Sequence, residues 1–127
     1  MRLLLDTSIV IRLGGQAADL RGPLKEAILN ATEILVTPVA RAEIGIKLSI
    51  GKLRLPVLEP VYWAGVTTRL QARELPFTSS HAALLASLPL LHRDPFDRMI
   101  ACQCLEEDVF LATTDSVFEQ YGVKTIK

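Results

Sequence analysis

The chain lacks net charge and has few cysteines, and each shortage excludes a class of protein. Its 14 basic and 14 acidic side chains cancel, so there is no overall electrostatic signature of nucleic-acid binding, and such binding would need a local basic patch. Only Cys102 and Cys104 are present, two positions apart. On a helix they would point to nearly opposite faces, which argues against a mutual disulfide and for small buried thiols in a reducing compartment.

Long hydrophobic runs are also missing. The longest uncharged stretch, 75–91, contains the polar segment 78–81 near its start and makes a poor membrane span. The apolar run at the N-terminus is interrupted by Asp6, which makes it a poor signal peptide. Half of the 127 residues are nevertheless hydrophobic, more than a disordered chain contains. We therefore expect one water-soluble, cytoplasmic domain over residues 1–127, without membrane contact.

Short apolar runs alternate with helical patterns along the chain. Strands are predicted at 3–5, 34–36, 109–112 and 123–126. Helices are predicted at 23–31, 39–50, 59–73, 79–88 and 95–107. Strands separated by helices indicate an α/β domain with a mainly parallel central sheet that is covered by helices on both faces.

Four acidic residues map to one edge of this predicted sheet. Asp6 closes the first strand, and Asp115 follows the third predicted strand by three residues. Asp97 lies in the first turn of the helix that leads into that third strand, and Glu43 lies about one turn into the helix after the second. Ligands of open parallel sheets bind outside the carboxyl ends of the strands, so this edge is the predicted site.

Each acid also has an ordinary structural interpretation. Asp6 could cap a helix that begins at Thr7. Asp115 could be a turn residue, and Glu43 could form an i,i+4 ion pair with Lys47. For any one of these residues alone, the structural interpretation is at least as good as the chemical one.

Taken together, the acids favour a bound cation. Two unit charges about 4 Å apart repel by about 4 kcal/mol at an effective dielectric constant near 20, so uncompensated acids would be pushed to take up protons. A divalent cation removes that penalty. Carboxylate oxygens without a cluster of histidine or cysteine favour Mg²⁺ or Mn²⁺ over zinc, and such an ion suits the hydrolysis of phosphodiesters.

The segment HRDPFDR, residues 92–98, divides its two aspartates between two roles. If Asp94 is the N-cap, Pro95 is the first helical residue and Asp97 the third. Asp97 then faces the positive end of the helix dipole, and we expect it to stay ionised, as a metal ligand must. Arg93 and Arg98 could either hold the carboxylates in place or contact a phosphate.

Five segments resemble, in order, the PIN-domain family, and more closely the VapC-type toxins of type II toxin–antitoxin pairs. The segments are LLLDTS, AEIGIKLSIGKLRLP, LPFTSSHA, LPLLHRDPFDRMIACQ and FLATTDSVFEQYGV. The resemblance implies a single PIN domain, a three-layer α/β/α sandwich, and Mg²⁺- or Mn²⁺-dependent endoribonuclease activity that hydrolyses RNA with a metal-activated water. The acidic quartet of the family falls on Asp6, Glu43, Asp97 and Asp115.

The resemblance also implies roles and partners. Asp6, Asp97 and Asp115 are expected to hold the metal, and Glu43 to position the ion or activate the water. Ser8 and Thr113 match supporting polar positions. Contacts with RNA phosphate are expected from basic residues near these acids, namely Lys47, Arg93 and Arg98, with Lys52 and Arg54 as further candidates. The expected partners are RNA, a second copy of the chain, and a small cognate antitoxin of the kind that often binds the DNA of its own operon.

The chain departs from the family pattern at three places. Arg41 and Ala42 replace a hydroxyl residue and a tryptophan that are frequent there, Ser8 stands where histidine is common, and the segment 102–104 reads Cys-Gln-Cys instead of Ala-Gln-Ala. None of these changes removes an acid. The alternative function is a non-catalytic PIN scaffold that binds RNA or a protein partner without cutting.

Overall fold

A computed structural model describes residues 1–15 and 20–127, which form five strands and seven helices. In chain order these elements are β1 (Arg2–Leu5), α1 (Thr7–Gly15), α2 (Gly22–Asn30), β2 (Glu33–Val36), α3 (Pro38–Ser49), α4 (Glu59–Leu70), β3 (Arg73–Glu74), α5 (Ser79–Leu84), α6 (Pro95–Glu107), β4 (Phe110–Ala112), α7 (Val117–Gln120) and β5 (Thr125–Ile126).

The strands form one sheet in the order β3-β2-β1-β4-β5, and every neighbouring pair is parallel. The predicted α/β fold with a parallel sheet is therefore confirmed. Strand β1 is central: the chain first builds outward from it through β2 to β3, and then crosses to its other edge to build β4 and β5. The order reverses between β1 and β4, and such a switch point opens a crevice at the carboxyl ends of the strands.

The apolar runs of the strands are buried because helices cover both faces of the sheet. Leu3 and Leu5 pack into one core with α1, α2 and α4. Leu4, which points to the opposite face, packs into a second core with α6 and α7. This division into two cores gives the three layers, and it explains why the strands read as unbroken apolar runs.

The differences from the predicted elements have local causes. Strand β3 was not predicted, since its two residues are exposed and it exists only through pairing with β2. Helix α4 ends at Leu70 instead of at 73, because Gln71 adopts a left-handed conformation with φ 52°. Residues 85–88 continue α5 as turns and not as helix. Helices α1 and α7 were not predicted.

The two cysteines are free and buried, in agreement with the sequence. Burial raises the pKa of the Cys104 thiol well above its ordinary value, so it remains protonated at neutral pH. Among residues 1–15 and 20–127, no helix has the length and apolar character needed to span a membrane.

The packing of α1 against α4 generates a stability prediction. A Cβ atom added at Gly14 would lie 1.9 Å from Cζ of Tyr62, whose buried hydroxyl donates to the Val10 carbonyl oxygen at 2.9 Å. Because the ring would have to move, Gly14→Ala should lower the free energy of unfolding by about 1–3 kcal/mol.

Gly45 is the matched control, because it also lies in a helix but has open space around its Cα. Gly45→Ala should leave stability unchanged or raise it by up to about 1 kcal/mol. Urea denaturation of both variants measures the difference. Equal stability of the two variants would contradict the close contact between α1 and α4.

Candidate active site

The carboxyl ends of the strands and the first turns of three helices meet at one edge of the molecule. Helices that connect parallel strands run back against the strand direction, so α6 begins at the edge where β1 ends. Helices α1 and α3, which follow β1 and β2 directly, begin there as well. The positive ends of their dipoles lie where the acids gather, and they offset part of the negative charge.

The four predicted acids surround one cavity of about 300 Å³ at this edge. Its lining residues are Asp6, Thr7, Ser8, Ile11, Glu43, Lys47, Asp94, Asp97, Thr114 and Asp115. The acids come from the ends of β1 and β4 and from the starts of α3 and α6, so the fold brings together residues up to 109 positions apart.

Asp6 lies at the base of the cavity and is held by three donors. Its Oδ1 accepts a hydrogen bond from the Thr7 amide at 2.8 Å. Its Oδ2 accepts from the Thr113 hydroxyl at 2.7 Å and from the Ser8 hydroxyl at 3.4 Å. The side chain therefore satisfies the start of α1 and also lines the cavity. Burial raises the pKa of Asp6, and the hydrogen bonds from Thr113 and Thr7 oppose the shift.

Glu43 is buried and has one oxygen engaged and one free. Its Oε2 lies 2.7 Å from Nζ of Lys47, the predicted i,i+4 pair. Its Oε1 is buried and has no hydrogen-bond partner among the described residues, and the same is true of the Thr7 hydroxyl. Buried oxygens without partners are rare, and at a site they indicate a missing ligand, water or ion.

Asp94 is the N-cap of α6. Its Oδ1 accepts hydrogen bonds from the amides of Phe96 at 2.9 Å and Asp97 at 3.1 Å. Asp97 is the third residue of the helix, and its Oδ2 lies 2.9 Å from Nε2 of His92.

The expectation that Asp97 stays ionised is wrong for the site without a cation. Burial, followed by the negative charges of Asp94, Asp6, Glu43 and Asp115, raises the pKa of Asp97 to about 7. The helix dipole does not outweigh these effects. Near neutral pH, both the protonated and the ionised form of Asp97 are therefore populated.

Asp115 occupies a turn and is exposed to solvent. Its amide donates to the Thr113 hydroxyl at 3.0 Å, and its Oδ1 accepts from the Val117 amide at 3.0 Å. The same threonine hydroxyl donates to Asp6. Thr113 thus links the ends of β1 and β4 across the switch point.

The basic residues near the acids differ in solvent exposure and in their contacts with the protein. Lys47 lines the cavity and is partly exposed, and Arg93 is exposed. Arg98 donates to the carbonyl oxygens of Pro89 and Leu88 at 2.8 and 3.3 Å and to the Tyr121 hydroxyl at 3.3 Å. Both terminal nitrogens of Arg98 are therefore engaged by the protein, and none of these bonds reaches a carboxylate. Its contact with RNA phosphate stays a prediction.

The donor set suits a hard divalent cation, because it consists of carboxylate and hydroxyl oxygens. In residues 1–15 and 20–127, however, no three Asp, Glu, His or Cys side chains form a ready-made metal site. Protein donors hold each acid instead: hydroxyls hold Asp6, Lys47 holds Glu43, His92 holds Asp97, and the Val117 amide holds Asp115. The assignment of Asp6, Asp97 and Asp115 as ligands stays a prediction.

A larger groove of about 790 Å³ lies elsewhere, along α3, and lacks comparable chemistry. It contains Arg41 and Ala42, where the sequence departs from the family pattern. Arg41 is paired with Glu59 at 2.8 Å and lies over the Trp63 ring. Arg41 therefore offsets the charge of Glu59, and Glu74 is the other acid of the lining, so the groove does not gather four acids as the first cavity does.

The sequence interpretation gave no role to Ile11 and Thr114, which line the cavity, or to His92, which bonds to Asp97. His92 precedes the Asp-Pro helix start by two positions. A side chain at that position can reach the first turn of the helix. A histidine two residues before the Asp-Pro pair was therefore the signal available in the sequence.

Comparison with known proteins identifies the family of this fold. The family model of the PIN domain matches residues 3–124. A search of curated proteins by sequence gives no match.

Solved structures similar to this chain include three from bacteria. VapBC2 from Rickettsia felis, bound to a DNA fragment from its promoter, matches with TM-score 0.73 and 16% identity over 100% of both chains. VapBC-1 from nontypeable Haemophilus influenzae matches with TM-score 0.70 and 16% identity, over 98% of this chain and 96% of the other. FitAcB from Neisseria gonorrhoeae matches with TM-score 0.66 and 20% identity over the same shares. At these identities, the likeness concerns the fold.

The raised pKa of Asp97 generates a prediction about stability and pH. Its pKa rises from 3.8 to about 7 on folding, so the folded state binds the proton more tightly than the unfolded state does. This proton contributes to the free energy of unfolding, and each unit of pKa shift corresponds to about 1.4 kcal/mol. The contribution is fully present below pH 4 and is lost as the pH rises through 7. Without divalent cations, Asp97→Asn should therefore be more stable than the parent at pH 8.

This advantage should shrink when both proteins are unfolded in urea at pH 5, because the parent then gains the proton. Asp108→Asn is a suitable control, since Asp108 is exposed and its pKa is lowered by Lys124. A stability difference for Asp97→Asn that does not change between pH 5 and pH 8 would show that folding does not raise the pKa of Asp97.

Proposed function

Because this chain belongs to the PIN domain family, we propose that it is a Mg²⁺- or Mn²⁺-dependent endoribonuclease and the toxin of a type II toxin–antitoxin pair. The observation that carries the proposal is the cavity at the switch point of the sheet. Asp6, Glu43, Asp97 and Asp115 surround it, and their combined charge contributes to the raised pKa of Asp97.

A raised carboxyl pKa, caused first by burial and then by neighbouring acids, is what a carboxylate site for a cation shows when it holds no cation. An oxygen of Glu43 that is buried without a partner supports the same interpretation. When bound, Mg²⁺ or Mn²⁺ would lower the pKa of a water molecule and offset charge on the attacked phosphodiester. Asp6, Asp97 and Asp115 are the residues that would hold it.

The chain's own residues then have distinct tasks. Thr113 and Ser8 fix the orientation of Asp6 through its Oδ2. Glu43, whose buried Oε1 has no hydrogen-bond partner among the described residues, would position the ion or accept a proton from the attacking water. Lys47 neutralises the other oxygen of Glu43 and, being partly exposed, is the basic residue placed to contact the scissile phosphate. Arg93 is exposed beside the site and would contact a flanking phosphate.

The proposed partners follow from the resemblance and from the similar structures. The Rickettsia felis structure is VapBC2 bound to a DNA fragment from its promoter, and a further similar structure is FitAB bound to an IR36 DNA fragment. By analogy, we propose that this chain pairs with a small antitoxin and forms a homodimer. A short reading frame for a DNA-binding protein directly beside the gene would support the pairing.

A second candidate function is a PIN scaffold that binds RNA or a protein without cutting it. It is favoured by the lack of a ready-made ligand set among the described residues. Cleavage of total RNA by purified, antitoxin-free protein with Mg²⁺, and its loss on addition of EDTA, would exclude this candidate. RNA binding without cleavage would support it.

The division of roles between the two aspartates of α6 generates the central prediction. Asp97→Asn should abolish RNA cleavage and growth arrest while keeping the fold, because the amide cannot serve as an anionic ligand. Asp94→Asn should retain most of the activity, since asparagine caps a helix nearly as well as aspartate does.

The two variants control each other, because they make the same chemical change three positions apart on one helix. Circular dichroism verifies that both are folded. Full activity of Asp97→Asn would refute the proposed nuclease site. Inactivity of a folded Asp94→Asn would reverse the assignment of the two roles.

The contacts of the basic residues generate a further prediction, best tested in the Asp97→Asn background so that RNA stays intact. Lys47→Gln should weaken RNA binding and reduce the slope of log affinity against log salt concentration by about one unit. Arg98→Gln should instead lower the melting temperature, because it removes donors to the Pro89 and Leu88 carbonyls. The assignment is wrong if Arg98→Gln changes the salt slope and leaves the melting temperature unchanged.

A further inference from the structure

His92 lies near the acids, and neither the sequence interpretation nor the proposed function uses it. It lies two residues before the N-cap of α6 and five before Asp97. It does not line the cavity itself, so it can act there only through another residue. Its side chain is 24% exposed, and that of Asp97 is 15% exposed.

The hydrogen bonds of the imidazole define its tautomer. The amide of Asp94 donates to Nδ1 of His92 at 3.3 Å, so Nδ1 must be the acceptor. The ring proton of the neutral imidazole then resides on Nε2. Nε2 lies 2.9 Å from Oδ2 of Asp97, and this N–H therefore donates to the carboxylate.

Tyr121 fixes the position of the His92 imidazole. Tyr121 is buried and packs edge-on against the imidazole, with ring centroids 6.2 Å apart at 88°. The amide of His92 donates to the Tyr121 hydroxyl at 3.2 Å, and Arg98 donates to that hydroxyl as well. The imidazole therefore has little freedom to turn away from Asp97.

We infer that His92 is a positioning residue for Asp97. Its Nε2–H holds Oδ2 of the carboxylate, which leaves Oδ1, for which the described residues provide no hydrogen bond, available to a divalent cation in the cavity. Partners of this kind orient metal ligands in proteins generally, and their loss weakens metal affinity about 10- to 100-fold. The inference depends on the proposed function only in taking the cavity as a cation site.

Two substitutions separate the two ends of the imidazole. His92→Gln can place an amide N–H near the position of Nε2 and keep the bond to Asp97. His92→Asn is too short to reach Asp97, but its carbonyl oxygen can still accept from the Asp94 amide. A structural role in the turn would be better preserved by asparagine, whereas the positioning role would be preserved only by glutamine.

The second histidine supplies a control. Nε2 of His81 lies 2.9 Å from Oε2 of Glu107, and its Nδ1 accepts from the Thr78 amide at 2.9 Å. The arrangement has the same chemistry, but neither side chain lines the cavity. His81→Asn thus removes an equivalent histidine–carboxylate bond away from the site.

The experiment measures Mn²⁺ affinity by calorimetry for the parent and the three variants, with melting temperatures to verify folding. We expect His92→Asn to bind Mn²⁺ at least about tenfold more weakly, and His92→Gln and His81→Asn to stay near the parent. In the metal-free parent at pH 8, the ¹⁵N chemical shifts of the imidazole should show the proton on Nε2 of His92. RNA cleavage by His92→Asn should recover at higher Mn²⁺ concentration.

If the parent binds Mn²⁺, the outcomes separate this inference from the proposed function. Three results would overturn the inference and leave the nuclease proposal standing. The first is a folded His92→Asn that binds Mn²⁺ as the parent does, and the second is a His92→Gln that binds Mn²⁺ as weakly as His92→Asn. The third is an imidazole proton on Nδ1 of His92. Mn²⁺ binding that depends on His92 in a protein that cuts no RNA supports the inference and refutes the nuclease. A parent that binds no Mn²⁺ overturns both.

Discussion

The central position of β1 in an all-parallel sheet is the constraint on which the rest of this structure depends. Leu3, Leu4 and Leu5 are fully buried, and β1 pairs with β2 on one edge and β4 on the other. Because the strands point the same way and the connecting helices run back, the ends of β1 and β4 meet the starts of α3 and α6. The acids come together because hydrophobic burial fixes the strands that carry them or lie beside them.

This convergence has an electrostatic cost, and the chain reduces it locally. Hydroxyl and amide donors hold Asp6, Lys47 pairs with Glu43, and His92 holds Asp97. These contacts do not remove the whole cost, as the raised pKa of Asp97 shows. Among the described residues, the acids do not form a ready-made ligand set. A cation would have to draw together side chains that repel one another in its absence.

The segment 92–98 shows how closely structural and chemical tasks are combined. Asp94 caps α6 through its side chain, while its amide fixes the tautomer of His92. Arg98 ties the same helix start to the carbonyls that follow α5. Asp94 and Arg98 thus stabilise the start of α6, and their contacts determine the position of Asp97.

The sequence by itself determined the buried strands, the cap at Asp94 and the gathering of four acids at one edge of the sheet. The signals for these features are apolar runs, an Asp-Pro helix start and the order of strands and helices, and all of them can be read along the chain. Tertiary structure alone decided β3, which exists through pairing with β2, and the bond from Thr113 to Asp6 across 107 positions. It also decided the role of Arg98 and the protonation of Asp97. Burial and the distances between remote charges set hydrogen-bond partners and pKa values, and neither is defined until the chain has folded.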